Sequence, residues 1–302
     1  MQTATKSKEW HERRRQGIGG SDAAAIAGLN PWKSAVAVWL EKTGQSEQQE
    51  AGESAYWGII LEDIVAKEFS IQTGKKTMRK NKTLQHREYP FMIANVDRMI
   101  VGKNEGLECK TTGEYMAKQW KDNKIPDMYM LQIQHYMAVT NTNAWWLAVL
   151  IGGNKFKYQR VERNQEIINY LIEIEKDFWN NYVLPKQMPP LDGTSASVEV
   201  LNLLYPESEY GKQIELPPST QGLLYDYTHA KEQEKIWTEK KDGFANKIKQ
   251  LMGDAETAFI GERKISWKTI KSERLDSKRL KKEMPEIYKE YIKENISRRF
   301  EV

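Results

Sequence analysis

The sequence has little cysteine: Cys109 is the only one among 302 residues. A single thiol excludes an internal disulfide and a zinc site built on several cysteines, and it fits a reducing compartment such as the cytoplasm. The longest strongly apolar run, AWWLAVLI at 144–151, has eight residues and is too short to span a bilayer. The basic N-terminal stretch has no apolar segment behind it, so we expect no secretory signal. The four histidines show no metal-ligand spacing.

Net charge is also small, since 46 Lys and Arg oppose 42 Asp and Glu. The excess of positive charge is concentrated in two segments of the sequence. From Lys231 to Val302 there are 19 basic and 14 acidic residues, and a second basic cluster is formed by Arg13, Arg14 and Arg15. Local basic patches on a nearly neutral body suit a polyanionic partner such as nucleic acid, although a solvated helix face has the same composition.

Proline, glycine and serine cluster in LPKQMPPLDGTSAS, residues 184–197, after a long helical pattern. We therefore predict an α/β core at residues 1–190 and an extension at 191–302, whose basic residues could contact DNA, contact a partner or simply be solvated. Hydrophobic periodicity predicts core helices from about Ser21 and at Ala35–Thr43, Trp57–Thr73, Asp127–Thr140 and Gln165–Tyr182. It predicts core strands at Phe91–Val101, Gly106–Thr112, Ala144–Ile151 and Phe156–Val161, then in the extension a helix at Gln221–Met252 and a hairpin turning at 260–262.

The stretch ANVDRMIVGKNEGLECKTT, residues 94–112, reads as two strands joined by a turn that carry Asp97, Glu108 and Lys110. Glu108 and Lys110 are two apart and share one face of the strand, while Cys109 faces the other way. Two carboxylates beside a lysine suit a hard divalent cation such as Mg²⁺, with the lysine near an attacking water or developing negative charge. An ordinary surface hairpin with a Glu–Lys pair remains the alternative.

Further polar residues lie on the predicted helices. WGIILEDIVAKEF, residues 57–69, places Glu62 among side chains that we expect to be buried, namely Ile59, Ile60, Ile64, Val65 and Phe69. In YMLQIQHYMAVT, residues 129–140, Gln132 and Tyr136 are four apart on one face. A solvent-facing acid and a solvent-facing amide are the simpler interpretations of Glu62 and Gln132.

A glycine-rich turn lies in WHERRRQGIGGSDAAAIAGLNPW, residues 10–32. We expect Ser21 to be the N-cap of the helix that follows. The free N–H groups of that helix, next to Arg14, would form an anion pocket. A simple cap after a glycine turn is the alternative.

Five motifs occur in a fixed order: W-H-x-x-R-x-x-G-I-G-G-S-D, W-G-x-x-L-E-D, N-V-D-R, L-E-C-K and Q-I-Q-H-Y. Together they resemble the YqaJ-type phage recombinase nucleases, relatives of lambda exonuclease in the PD-(D/E)XK superfamily. The motifs cover residues 10–140, and a looser likeness extends to about Tyr182. The resemblance implies a restriction-endonuclease-like core, in which helices flank a small mixed sheet.

The resemblance also implies an activity. Members digest duplex DNA from the 5′ end with Mg²⁺, for which Mn²⁺ is the expected substitute, and release 5′-mononucleotides. The 3′ single strands left behind would serve a RecT or Red beta-type annealing protein during phage or prophage recombination in the cytoplasm of a bacterial host. A ring-shaped trimer is the assembly implied. The alternatives are a structure- or sequence-dependent endonuclease on the same core and a non-catalytic DNA-binding module.

Roles follow from the resemblance residue by residue. Asp97, Glu108 and the backbone carbonyl of Cys109 would bind the first metal ion, and Glu62 would bind a second ion or its waters. Lys110 would position the nucleophilic water, so the expected chemistry is of the two-metal type.

The remaining roles concern the DNA. Gln132 and Tyr129 would support the scissile region, with Tyr136 completing the Q-x-x-x-Y element. Arg14 and Ser21 match positions that grip the 5′-phosphate of the digested strand.

Two departures from lambda exonuclease flank the predicted metal ligand. Asn95-Val96 stands where lambda exonuclease has Ser-Pro, and Asn95 can still donate to a phosphate. Arg98 stands where it has glycine, which adds a positive charge beside the metal site.

Overall fold

The computed structural model describes residues 8–46, 52–293 and 297–302, and the chain forms two compact units, Met1–Leu204 and Tyr205–Val302. The division predicted at residue 190 lies before the one between these units. The helix between the two positions, Ser195–Leu204, packs with the first unit, where its Val200 is buried. Within the described ranges, no helix is long and apolar enough to cross a membrane.

The first unit alternates helices with short strands. Its helices are α1 (Lys8–Arg15), α2 (Gly20–Ile26), α3 (Ala35–Thr43), α4 (Glu53–Thr73), α5 (Asp127–Thr140), α6 (Gln165–Phe178) and α7 (Ser195–Leu204). Its strands are β1 (Thr77–Arg79), β2 (Leu84–Gln85), β3 (Ile93–Ala94), β4 (Arg98–Ile100), β5 (Glu105–Thr112), β6 (Ala144–Ile151) and β7 (Lys155–Glu162). A 3₁₀ segment at Glu114–Asn123 precedes α5, and a π-helical turn at Trp179–Val183 follows α6.

Five strands form one mixed sheet in the order β1-β4-β5-β6-β7, in which only β5 and β6 are parallel. Strand β6 carries apolar side chains on both faces, as expected for a strand covered by helices on both sides. Gly106 on β5 lies under Trp145 of β6, where an added Cβ would come within 2.3 Å of the indole ring. The predicted small mixed sheet flanked by helices is confirmed.

The prediction of a single strand at Phe91–Val101 is wrong, because this segment forms two short strands that belong to different sheets. Strand β3 pairs with β2, whereas β4 pairs with β1 and β5. Asp97 lies in the break between β3 and β4, not on a strand. The neighbouring Val96 is buried in the core, which fixes the path of the chain through this break.

Helix α4 begins at Glu53, earlier than predicted, and buries a narrower face. Val65, Ala66 and Phe69 pack on the sheet, as predicted for Val65 and Phe69. The prediction that Ile60 and Ile64 are buried is wrong, because they are 38% and 54% exposed. These two isoleucines lie on the other side of the helix, which no element among the described residues covers.

The second unit contains α8 (Thr220–Met252), the hairpin of β8 (Thr257–Ile260) and β9 (Arg263–Ser266), and the helices α9 (Ser277–Glu283) and α10 (Pro285–Tyr291). The predicted long helix and the hairpin turn are both present. In the described part of this unit, Met252 is the one buried side chain.

Candidate active site

One cleft of about 330 Å³ brings together side chains from both ends of the predicted motif set. Its walls come from α1, α2, α4, the break between β3 and β4, β5 and α5. Ten of the sequence-predicted residues line it: Arg14, Ser21, Glu62, Asn95, Asp97, Glu108, Cys109, Lys110, Gln132 and Tyr136. Tyr129 is outside this lining, but its ring centre lies 5.0 Å from the Lys110 ammonium.

Strand β5 supplies the most buried of the cleft carboxylates, Glu108. Its Oε1 accepts from the Lys110 ammonium at 2.7 Å and from the Gln132 amide at 2.7 Å. Its Oε2 is buried and accepts no hydrogen bond from the described part of the chain. A buried carboxylate oxygen costs free energy unless a donor or a cation satisfies it, so this oxygen is suited to bind a metal ion or its water.

Asp97 reaches the same place from the break between strands. Its Oδ2 accepts from the Cys109 N–H at 2.8 Å. Burial and the nearby Glu108 carboxylate raise the pKa of Asp97 to about 7. Two crowded carboxylates of this kind are stabilised in their charged form by a cation between them.

The backbone of Cys109 is open on the side of Asp97. Strand β4 pairs with β5 only at Gly106 and Leu107, so β5 extends beyond its neighbour here. The N–H and C=O of one strand residue lie on the same edge, which places the Cys109 carbonyl on the Asp97 side. The side chain of Cys109 packs instead with the cluster that contains Val65 and Phe69.

These groups fit one hard divalent cation. Asp97, Glu108 and the Cys109 carbonyl are oxygen donors, and Mg²⁺ uses one or two carboxylates while keeping waters and substrate phosphate in its shell. Nowhere in the described ranges do three or more His, Cys, Asp or Glu side chains form a group that could hold a metal ion.

Helix α5 supports this site through two of its residues. The Gln132 amide donates to Glu108 and also to the Tyr136 hydroxyl, at 2.8 Å. Burial and the Glu108 charge raise the pKa of Tyr136 well above its usual range, so it stays neutral. Helix α2 contacts Tyr136 at Gly20, where an added Cβ would be 2.6 Å from the ring, so only glycine permits this approach.

Ser21 lies in the first turn of α2, but it is not the N-cap, so that prediction is wrong. Gly19 takes the N-cap position, because Asp22 accepts from the Gly19 N–H at 3.2 Å. The Ser21 hydroxyl oxygen instead accepts from Arg14 Nη2 at 3.0 Å. That contact leaves the hydroxyl proton available to an anion in the cleft.

A buried charge cluster holds Arg14 in place. Asp22 is fully buried and pairs with Arg14 at 2.9 Å, Lys33 at 2.8 Å and Lys42 at 2.7 Å. Glu41 pairs with Arg14 at 2.8 Å and with Lys33 at 2.6 Å. These ion pairs join Arg14, Lys33, Lys42, Asp22 and Glu41 into one network.

The cations also set the protonation state of Asp22. Burial alone would raise the pKa of Asp22, but Lys33, Lys42 and Arg14 lower it well below its usual range. Sequence reasoning missed this cluster apart from Arg14. Asp22 is the last residue of the G-I-G-G-S-D motif, so its place in the motif could have marked it as a functional residue. Its partners Lys33 and Lys42 lie outside every motif.

Arg98 forms an ion pair with Glu62 through one of the two carboxylate oxygens. Arg98 Nη1 donates to Glu62 Oε1 at 2.5 Å and to the backbone carbonyl of Asp97 at 2.6 Å, and Nη2 bonds to Asp63. Asp63 is shared with Arg79 at 2.6 Å. Burial and the charge of Asp97 raise the pKa of Glu62.

Asn95 lies at the boundary with a second cleft of about 450 Å³. Its Oδ1 accepts from the Thr83 hydroxyl at 2.8 Å, so its NH₂ group is the one available to a ligand. The two clefts share Ile59, Glu62, Asn95 and Asp97, and the second is also lined by Arg13, Arg79, Lys80 and Arg98. A basic surface therefore continues from the acidic site.

Comparisons with known proteins find relatives of this chain. A family model described as a YqaJ-like viral recombinase domain matches residues 9–143. The uncharacterized protein YqaJ of Bacillus subtilis strain 168 is 47% identical over 295 residues, which span 97% of this chain and 92% of that protein.

Solved structures share the fold. An alkaline exonuclease from Laribacter hongkongensis has 16% sequence identity and a TM-score of 0.51, covering 60% of this chain and 94% of that one. A phage-related exonuclease from Haemophilus somnus has 12% identity and a TM-score of 0.46, covering 60% and 100%. The first unit has the restriction-endonuclease-like fold that the motifs predicted, and the Laribacter structure shares this fold.

Proposed function

Since this chain belongs to the YqaJ family, whose shared domain is a viral recombinase-like domain, we propose that it is a Mg²⁺-dependent 5′-to-3′ exonuclease that acts on double-stranded DNA during phage or prophage recombination. One observation carries the proposal. Asp97, Glu108 and Lys110, which suit phosphodiester cleavage, line the same cleft as Arg14 and Ser21, whose side chains are hydrogen-bonded to each other. A terminal phosphate and the scissile bond can thus be held together.

The metal ion would be held by Asp97, Glu108 and the Cys109 carbonyl, with Mn²⁺ as the expected substitute for Mg²⁺. When bound, such an ion supplies a Lewis acid and lowers the pKa of a coordinated water. The protein's own side chains orient the metal-binding carboxylate. Gln132 donates to Glu108 Oε1, and this bond fixes the carboxylate so that Oε2 faces its ligand.

Lys110 acts as a fixed cation beside the attacking water. Burial opposes its charge, but Glu108 outweighs this effect and raises the pKa of Lys110. The ammonium also lies over the ring of Tyr129. A lysine that stays charged orients the water and stabilises negative charge on the phosphorus oxygens, and does not act as a base.

The 5′-phosphate pocket would use Arg14 and the free proton of Ser21. The guanidinium is already oriented by Asp22 and Glu41, so it loses little conformational entropy when it binds a phosphate. Pairing of a terminal phosphate with this pocket would direct cleavage to the 5′ end and release 5′-mononucleotides. The basic second cleft offers a path for the rest of the DNA.

The 3′ single strands produced would pass to a RecT or Red beta-type annealing protein in the cytoplasm of the bacterial host. Enclosure of the DNA by a ring-shaped trimer would give processivity. The extension at 191–302 is the segment that we expect to contact DNA or this partner.

The test uses linear duplex DNA labelled at one end, with or without a 5′-phosphate, in Mg²⁺ or EDTA. We expect labelled mononucleotides only with Mg²⁺, faster release with the phosphate, and none from Lys110→Ala or Asp97→Ala. Internal cuts in closed circular DNA would instead indicate the endonuclease. Binding of DNA without cleavage in either Mg²⁺ or Mn²⁺ would contradict catalysis and indicate a binding module.

A further inference from the structure

We infer that Arg98 takes the place of a second divalent ion, so that the active site works with one metal ion; this inference rests on the proposed function. The two-ion scheme implied by family resemblance requires Glu62 as a ligand of the second ion. In the structure, a guanidinium already neutralises that carboxylate at 2.5 Å.

The position of Arg98 is set by its backbone and by three acceptors. Its backbone belongs to β4 and pairs opposite Leu107 of β5, directly beside the metal-site strand. Its Nη1 joins Glu62 to the carbonyl of Asp97, and its Nη2 bonds to Asp63. A planar group that bridges several fixed acceptors is held rigidly, and arginine keeps its charge at every pH that a nuclease experiences.

Burial makes this pair difficult to open. The Arg98 side chain is 5% exposed, and that of Glu62 is 24% exposed. An ion that took Glu62 Oε1 would have to displace a guanidinium that is shielded from water, and one bound through Oε2 would lie directly beside that guanidinium. Removing one partner of a buried pair leaves an uncompensated charge, which is costly.

The charge balance supports one ion. Glu62, Asp63, Asp97 and Glu108 carry four negative charges, while Arg79, Arg98 and Lys110 return three positive ones. One divalent ion brings the site to a single positive charge, which matches the single negative charge of a phosphodiester. A second ion would leave three positive charges next to Arg98, and like charges in a partly buried site repel strongly.

Arg98 therefore acts as a positioning residue. It holds one carboxylate oxygen of Glu62 and supplies a fixed positive charge beside Asp97. Because this charge is covalently attached, it needs no second ion from solution.

The experiment counts bound Mn²⁺ from the loss of the electron paramagnetic resonance signal of the free ion. It is done with and without a 5′-phosphorylated duplex whose terminal linkages are hydrolysis-resistant phosphorothioates. Variants are Arg98→Gln, Arg98→Lys, Glu62→Gln and, as a matched control, Arg79→Gln. This control removes the same charge from a residue that also pairs with Asp63, whereas Glu62 is paired with Arg98.

We expect one Mn²⁺ per chain in the wild type with DNA, in Glu62→Gln, in Arg98→Lys and in Arg79→Gln, and two in Arg98→Gln. If Arg98→Gln does not fold, the wild type and Glu62→Gln decide alone. Two ions in the wild type that fall to one in Glu62→Gln would overturn the inference and leave the nuclease proposal intact. No bound ion in the wild type would overturn both.

Discussion

His135 on α5 and Glu175 on α6 form a fully buried pair, with 2.8 Å between Nδ1 of the imidazole and Oε1 of the carboxylate. The other ring nitrogen lies 2.9 Å from the carbonyl of Ile93. Since both nitrogens face acceptors, the protonated ring satisfies both contacts. Ile93 begins the two-residue strand β3, which leads into the break that carries Asp97, so this pair anchors the approach to the active site.

The His135–Glu175 pair predicts a loss of stability at high pH. Burial alone would lower the pKa of His135, but the Glu175 carboxylate and the Ile93 carbonyl outweigh burial, so the pKa of His135 is raised. Burial also raises the pKa of Glu175. The folded state thus binds protons more tightly than the unfolded one. The contribution of His135 to the free energy of unfolding should be fully present below about pH 6.5 and should be lost as pH rises through its raised pKa.

Urea unfolding of the wild type and His135→Gln between pH 6 and 9 measures this effect. The decrease should be smaller in the variant. A wild-type stability that stays constant or rises over this range would contradict the protonated pair.

Gln132→Ala should weaken metal binding and cleavage, each by about 10–100-fold, because the amide fixes the Glu108 carboxylate. The matched control is Gln134→Ala. Gln134 is also buried on α5, but its amide donates to the carbonyl of Glu162, on the side away from the cleft. The control should lose stability and keep its Mn²⁺ affinity. Equal losses of affinity in both variants would mean that Gln132 acts only through the fold.

Arg14→Ala should reduce the preference for 5′-phosphorylated ends, by about 10-fold if one charge-assisted contact is lost. Arg15→Ala removes the same charge from the same helix, from a residue that does not line the cleft, and should keep the preference. Initial rates on phosphorylated and hydroxyl-ended duplexes give the ratio for each variant. A ratio unchanged in Arg14→Ala would remove Arg14 from the phosphate pocket.

Gly106→Ala should lower the free energy of unfolding by about 1–3 kcal/mol, because the new methyl group would collide with the Trp145 ring at the centre of the sheet. Gly113→Ala is the control, since nothing lies within 4 Å of a Cβ at that position. Chemical denaturation of the two variants and the wild type tests the difference. Equal stability of Gly106→Ala and the wild type would mean that the indole moves aside at no cost.

The sequence predicted most of the sheet, because β6 is a short apolar run bounded by polar residues and β7 follows it through a GGN turn. It also named the residues of the cleft, because the five motifs preserve their order and spacing. It could not show that Asp97 lies between two ladders, since a break in pairing leaves no mark on an alternating pattern. Nor could periodicity tell which face of α4 is covered, because isoleucines occur on both.

Long-range charge pairing is the other feature that was out of reach. Arg98 pairs with Glu62, which is 36 residues away in the sequence, and Lys33 pairs with Asp22, which is 11 residues away. Each residue alone reads as an ordinary surface charge. Only the folded chain shows that these charges are paired below the surface.

The parallel pairing of β5 with β6 also has a consequence for how the site forms. Parallel neighbours require a crossover, and this one contains α5, so the strand with Glu108 and the helix with Gln132 are consecutive in the chain. The connection between β5 and β6 closes at a modest cost in conformational entropy. Arg14, by contrast, is far from both strands in the sequence. In folding terms, the metal-binding half belongs to a local βαβ unit that can assemble first. The phosphate pocket is then completed when the N-terminal helices dock, an order that pulse-labelled hydrogen exchange would reveal.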